Sequence, residues 1–270
     1  MTRPRTGFPY FDAGLDQPGA VLAFAHRGGA FHPGLEGLEN TMTAFEHAVD
    51  LGYHYLETDV HATKDGVLLA FHDAMLDRVT SHTGPLADTR YDDLAAVVVG
   101  EREQIPTLVS LFERFPGTCF NIDIKADAAV VALADLVRRT SAHDRVCVGS
   151  FSARRMRAFR RAMDRPVATA HGPTTVAAVR FAPGPVAARI GRAPGRAFQV
   201  PHHSRGVRVV TAELVARAHA ARQPVHVWTI DDPAEMHELL DLGVDGLMTD
   251  RTDLLREVLL DRGQWMGAPS

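Results

Sequence analysis

From residue 20 to the end of the chain, short apolar runs alternate with longer stretches of helical periodicity, and no other feature restricts the fold as much. The runs AVLAFAH (20–26), YHYLETDV (53–60), TCFNIDIK (118–125), RVCVGS (145–150), VATAH (167–171), AFQVP (197–201), VHVWTI (225–230) and DGLMTD (245–250) read as strands. Between them lie helical patterns such as TMTAFEHAVDLG, AAVVALADLVRRTSA, AEMHELLDLG and DLLREVLLDR, starting near Asn40, Ser152, Thr211 or Asp231 and stopping at Gly52 and Gly243. Strands that must each be followed by a helix form parallel sheets. Eight such units in 270 residues predict an α/β fold, a (β/α)8 TIM barrel, with a doubly wound open sheet as the competitor.

About sixty residues separate the second and third runs, more than one βα connection needs. VLLAFHD (67–73) reads as an additional short strand, and DTRYDDLAAVV and TLVSLFERF read as helices. This gives an insertion after the second strand, about residues 73–106, on a single barrel domain spanning 20–262. A 1–19 N-terminal extension and a 263–270 tail flank the barrel. The Pro/Gly-rich stretch from Pro183 to Gly195 reads as a flexible loop.

The net charge of −4 is opposite in sign to a nucleic-acid-binding footprint. No run approaches the ~20 apolar residues of a membrane span, and Pro4, Pro9, Asp12 and Asp16 break any signal-peptide core. A cytoplasmic protein without stable membrane insertion is therefore expected; oligomeric state is not legible. Cys119 and Cys147 lie inside strand-like runs and read as buried thiols, neither a disulfide nor a metal pair.

Alternation along the strands sorts the polar residues. Glu57 and Asp59 share one face while Leu56 and Val60 take the other; Asn121, Asp123 and Lys125 share a face opposite Phe120, Ile122 and Ile124. His26 ends the first strand, and His226 and Trp228 alternate with Val225 and Val227. These groups converge at the strand C-termini, where chemistry sits in this fold. Three crowded carboxylates cannot all stay ionised without a cation. Either they bind a hard divalent ion, or they pair with Arg27 and Lys125 in a salt-bridge network that plugs the barrel. An Arg fork and a Lys beside them suit a phosphate, and His26 and His72 suit proton transfer.

AFAHRGG (24–29), LENT (38–41), ETDVHATKDG (57–66), FHD (71–73), NIDIK (121–125), SFS (150–152), VWTID (227–231) and GVDGLMTDRTDLL (243–255) occur in this order. Together they resemble the bacterial, short-insertion type of the glycerophosphodiester phosphodiesterase family, a phosphoric diester hydrolase of lipid and glycerol metabolism. The resemblance implies hydrolysis of small glycerophosphodiesters to sn-glycerol 3-phosphate and an alcohol, with one divalent cation, Mg²⁺ or Ca²⁺. It implies His26 and His72 as the acid–base pair, Glu57, Asp59 and Asp123 as metal ligands, and Arg27 and Lys125 as phosphate contacts. Leu38 replaces the family's usual Pro, and Asp123 stands where many members carry Glu.

Other residues keep two readings. Glu39 either orients Arg27 near the metal or merely opens a helix, and Trp228 either walls the substrate or packs in the barrel. Gln199 and His171 are further pocket candidates, whereas Lys64–Gly66 reads as a turn. His202 and His203 read as a loop pair, not a metal site. The order of the two histidines, with His26 as base and His72 as acid, and the choice between water and the substrate 2-hydroxyl as nucleophile, stay open. So does the alcohol head group. The alternatives are phospholipase-D-like cleavage of lysophospholipids, a non-catalytic phosphodiester-binding barrel, and a metal-dependent aldolase or isomerase.

Overall fold

Every one of the eight apolar runs is a strand in the structure, a computed structural model that describes residues 5–14, 17, 19–190 and 195–267. We number them β1 Leu22–His26, β2 Tyr55–Ala62, β3 Cys119–Ile124, β4 Val146–Gly149, β5 Ala168–Thr169, β6 Phe198–Pro201, β7 Val225–Trp228 and β8 Gly246–Thr249. Adjacent strands pair in parallel, in the order β5-β4-β3-β2-β1-β8-β7-β6. A parallel bridge between Ala170 and Ala197 joins β5 to β6 and closes the ring. Helices follow the strands and cover the outside, which is the (β/α)8 barrel that the alternation demands.

The period-2 reading of the strands holds. Ala25, Leu56, Val60, Phe120, Ile122, Ile124 and Val148 face outward and pack under the helices. Leu22, Phe24, Tyr55, Cys147, Ala168 and Met248 fill the interior. The interior is sealed at the strand N-termini by a short helix, Pro9–Asp12, whose Tyr10 and Phe11 are buried among those residues. The Tyr55 hydroxyl donates to the Tyr10 carbonyl at 2.6 Å, fixing this plug to β2. Cys119 and Cys147 are free thiols, and burial pushes the Cys119 thiol up to about 11.

Four local features differ from the sequence reading. The helix Met42–Asp50 is capped by Thr41, not Asn40, because Asn40 takes φ +58° and its side chain accepts from Thr58 Oγ1 at 2.7 Å. The helix Pro233–Asp241 is capped by Asp232, since Asp231 instead accepts from the Asp250 N–H and Thr249 Oγ1. Residues 88–98 form no α-helix: Asp88 ends the 3-10 turn Leu86–Asp88, Tyr91–Leu94 is a second such turn and Val98 opens a two-residue strand, while Leu94 packs with Leu69, Phe71, Leu76, Leu86, Val97, Val99 and Ile105 in a core of the insertion's own. Helix Gly184–Ile190 occupies most of the Pro/Gly-rich stretch, while residues 191–194 of it lie outside the described residues, as do 268–270 of the tail. The expected short strand is present as Leu68–Ala70, antiparallel to the end of β2. Among the described residues no helix is long and apolar enough to cross a membrane.

Candidate active site

β1 ends in a turn built on left-handed backbone. Arg27, Gly28 and Gly29 all have positive φ, at 49°, 86° and 88°. A Cβ on Gly28 would lie 2.7 Å from Ala44 Cβ and 2.9 Å from the Ala44 carbonyl carbon, so the chain grazes the following helix where no side chain fits. The turn folds Arg27 back over β2. Its backbone N–H donates to Glu57 Oε2 at 3.1 Å, its guanidinium reaches Glu39 Oε1 at 3.0 Å, and its Nε lies 3.2 Å from Asp59 Oδ2.

Parallel pairing sets Glu57 level with Asn121 and with His26, the last residue of β1, and sets Asp59 level with Asp123, the penultimate residue of β3. The Lys125 ammonium lies between two of the acids, 2.9 Å from Asp59 Oδ1 and 2.7 Å from Asp123 Oδ2. Burial works against the Asp59 carboxylate, but Lys125 and Arg27 outweigh it and hold its pKa below the ordinary value. Glu57 is different. Burial, reinforced by the negative charge of Asp59, outweighs His26, Arg27 and Lys125 and pushes its pKa up to about 7; among the described residues its one ion-pair partner is the His26 imidazole, 3.8 Å away.

The salt-bridge reading therefore describes Asp59 and Asp123 here but leaves Glu57 uncompensated. The three acids do not draw their oxygens within 4.8 Å of one another; among the described residues the group that does so is His202, His203 and Glu235. Two observations nevertheless fit Glu57, Asp59 and Asp123 to a cation. Asp123 Oδ1 is buried with no hydrogen-bond partner among the described residues, and Glu57, pushed up to about 7 by burial and by Asp59, is the acid whose ionised form a bound cation would restore.

Each histidine of the expected pair is held by a carboxylate through Nδ1. His26, level with Glu57 across the β1–β2 pairing, contacts Asp250 Oδ1 at 2.9 Å. Burial opposes its charged form, but Glu57 and Asp250 outweigh burial and raise its pKa. His72 contacts Asp73 Oδ1 at 2.5 Å. The segment carrying it is tied to β2 by Phe71 N–H to Asp59 O at 3.0 Å and by the His61 ring to the His72 carbonyl at 3.1 Å. In both histidines the carboxylate contact thus occupies Nδ1 and not Nε2.

Glu39 joins the site through charge, not as a helix cap. It accepts from Arg27 and, with both oxygens, from Arg78 at 2.6 and 2.7 Å; Arg78 Nε also reaches Asp73 Oδ2 at 2.6 Å. Burial opposes the Glu39 carboxylate, but the two arginines outweigh it and lower its pKa. Trp228 meets Phe151 edge-on, centroids 6.0 Å apart, and Lys125 Nζ lies 5.9 Å from the Phe151 ring centre. Gln199 donates to Asn121 at 2.7 Å inside the barrel, and His171 is buried against Gln223 at 2.6 Å. Asp250, Asp73, Arg78 and Phe151 were not singled out from the sequence. Asp73, Asp250 and Phe151 sit within quoted motifs, but Arg78 carried no signal.

A family model described as the glycerophosphoryl diester phosphodiesterase family matches residues 26–254. The chain is 40% identical over 254 residues to a protein of Mycobacterium tuberculosis named probable glycerophosphodiester phosphodiesterase 2, covering 93% of this chain and 95% of that one. It is 30% identical over 249 residues to a glycerophosphodiester phosphodiesterase of Bacillus altitudinis, covering 85% and 94%. An Oleispira antarctica phosphodiesterase, solved in complex with the product sn-glycerol-3-phosphate, shares the fold with a TM-score of 0.75 at 21% identity, covering 89% of this chain and 97% of that one.

Proposed function

The chain belongs to the glycerophosphoryl diester phosphodiesterase family, and on that premise we propose that it hydrolyses glycerophosphodiesters to sn-glycerol 3-phosphate and an alcohol by metal-assisted acid–base catalysis. One observation carries this reading: Glu57 and Asp59 lie on a single strand, with His26 level with Glu57 and His72 within electrostatic reach of Asp59, and both histidines are already engaged at Nδ1 by a carboxylate. Glu57, Asp59 and Asp123 would hold a divalent cation. Oxygen donors alone favour Mg²⁺ or Ca²⁺ over softer ions. When bound, such an ion supplies Lewis-acid polarisation of a phosphate oxygen.

The chain's own residues do the rest. Arg27 and Lys125 stabilise the charge that gathers on the phosphoryl oxygens as the bond to the leaving group breaks. His26 Nε2 accepts the proton of the nucleophilic hydroxyl, and His72 Nε2 returns one to the departing alkoxide, the two acting on opposite sides of phosphorus in an in-line displacement. The nucleophile is either water or the 2-hydroxyl of the substrate glycerol, the latter giving a cyclic phosphate that water opens. Trp228 and Phe151 offer an apolar edge beside Lys125 for the glycerol or alcohol part.

The test is to incubate the purified protein with glycerophosphocholine, other glycerophosphodiesters and lysophosphatidylcholine, with and without chelator, and to measure glycerol 3-phosphate and lysophosphatidic acid. Chelator-sensitive release of glycerol 3-phosphate supports the reading. Preferential release of lysophosphatidic acid moves the assignment to lysophospholipids, and binding without release of product leaves a phosphodiester-binding barrel.

A further inference from the structure

A second group of metal-ligating side chains stands apart from the acid cluster and has no part in the mechanism above. One donor atom from each of His202, His203 and Glu235 lies within 4.8 Å of the other two. They come from neighbouring connections on the rim. His202 follows Pro201 at the end of β6, His203 opens a two-stranded hairpin with Val207–Arg208, and Glu235 sits in the first turn of the helix Pro233–Asp241 after β7.

The backbone holds these positions. The His202 carbonyl accepts from the N–H groups of Val209 and Val210, at 2.9 and 3.3 Å, and the Glu235 N–H is bound by the capping carboxylate of Asp232 at 2.9 Å. His202 is buried, with Nδ1 2.5 Å from Glu235 Oε1 and Nε2 lacking any hydrogen-bond partner. The exposed His203 ring lies 4.1 Å from that of His202, centroid to centroid. The trio offers two imidazole nitrogens and one carboxylate oxygen to a common point. That donor set suits zinc-like ions and not Mg²⁺ or Ca²⁺.

We propose that His202, His203 and Glu235 form a transition-metal site that ties the 203–208 hairpin to the helix 233–241 on the barrel rim. Binding needs the His202–Glu235 contact to open to ~3.3 Å, the separation of two donors on a tetrahedral zinc. Glu235, the less buried of the two, reaches it by small χ changes.

The test uses the full chain, stripped with chelator and titrated with Co²⁺, followed by visible d–d absorption, and with Zn²⁺ in competition with a chromophoric chelator. His203→Ala and Glu235→Gln are compared with wild type and with Glu57→Gln; circular dichroism confirms that each is folded. The wild type is expected to show the d–d bands of a nitrogen-containing site and one tight Zn²⁺ equivalent, both retained in Glu57→Gln. His203→Ala and Glu235→Gln are expected to weaken Zn²⁺ binding by at least the roughly 10–100-fold that losing even a supporting contact costs such sites. Because Glu57→Gln removes a residue of the other centre, failure there and failure here are told apart. A wild type without d–d bands, or a folded His203→Ala that binds Zn²⁺ as tightly as wild type, would overturn the proposal.

Discussion

His26 and His72 are both pinned through Nδ1, to Asp250 and Asp73, and the proposed mechanism gives Nε2 of each the proton transfer. Replacing either with Ala should lower turnover by about 10²–10⁴-fold. The two should also separate on a glycerophosphodiester with a nitrophenol leaving group: His72→Ala recovers most of its loss there, since the departing phenolate needs no proton, while His26→Ala does not. Equal losses of both variants on both substrates would refute the assigned order. The acids and histidines were legible because alternation along each strand fixes which side chains face inward. Their supports were not. Asp250 meets His26 only because β8 closes against β1 across 224 positions of sequence. The pairing of Lys125 with both Asp59 and Asp123 was legible as a possibility, but not the exclusion of Glu57 from it, which depends on where the Arg27 turn points its guanidinium.

The eight strands and most of their helices follow from periodicity; beside the Pro/Gly-rich stretch, which holds the helix Gly184–Ile190 in place of a loop, the reading fails where side chains have a better use elsewhere. Asn40 gives up the helix cap for a buried bond to Thr58, and the apolar residues of 88–98 turn inward to a core that belongs to the insertion. The same insertion carries Arg78, whose guanidinium joins Glu39, on the connection after β1, to Asp73, the partner of His72. Arg78 is half exposed, so its worth as a surface ion pair is small; its consequence is positional. Arg78→Ala should lower kcat by about 10–100-fold, as loss of an outer-shell support does, with thermal stability nearly unchanged. A variant with wild-type kcat would detach the insertion from catalysis.

At the scale of the molecule, the barrel is closed below by its own N-terminal segment and carries its chemistry above. Phe11 is buried against the interior and 5.7 Å from the His226 ring, so Phe11→Ala should cost ~3–5 kcal/mol in urea unfolding; a loss below about 1 kcal/mol would show that the plug is dispensable. Sequence periodicity does not reach this segment, because four helical residues have no repeat to read. Burial pushes His171 down to about 4, against an unfolded value near 6.5. The unfolded chain therefore binds the extra proton between these pH values, and the His171 contribution, full above about 6.5, is lost as pH falls towards 4. It amounts to about 3 kcal/mol in all. His171→Gln should flatten that part of the stability profile, and an unchanged slope would contradict it. If Glu57, Asp59 and Asp123 serve a divalent cation on which turnover depends, glycerol 3-phosphate release from wild type and Glu57→Gln, after chelation and stepwise return of Mg²⁺ or Ca²⁺, will show it. Wild-type turnover should vanish with chelator and return with the ion, while Glu57→Gln stays inactive or needs far more metal. Undiminished turnover of the chelated wild type, or identical metal titrations for the two proteins, would contradict it.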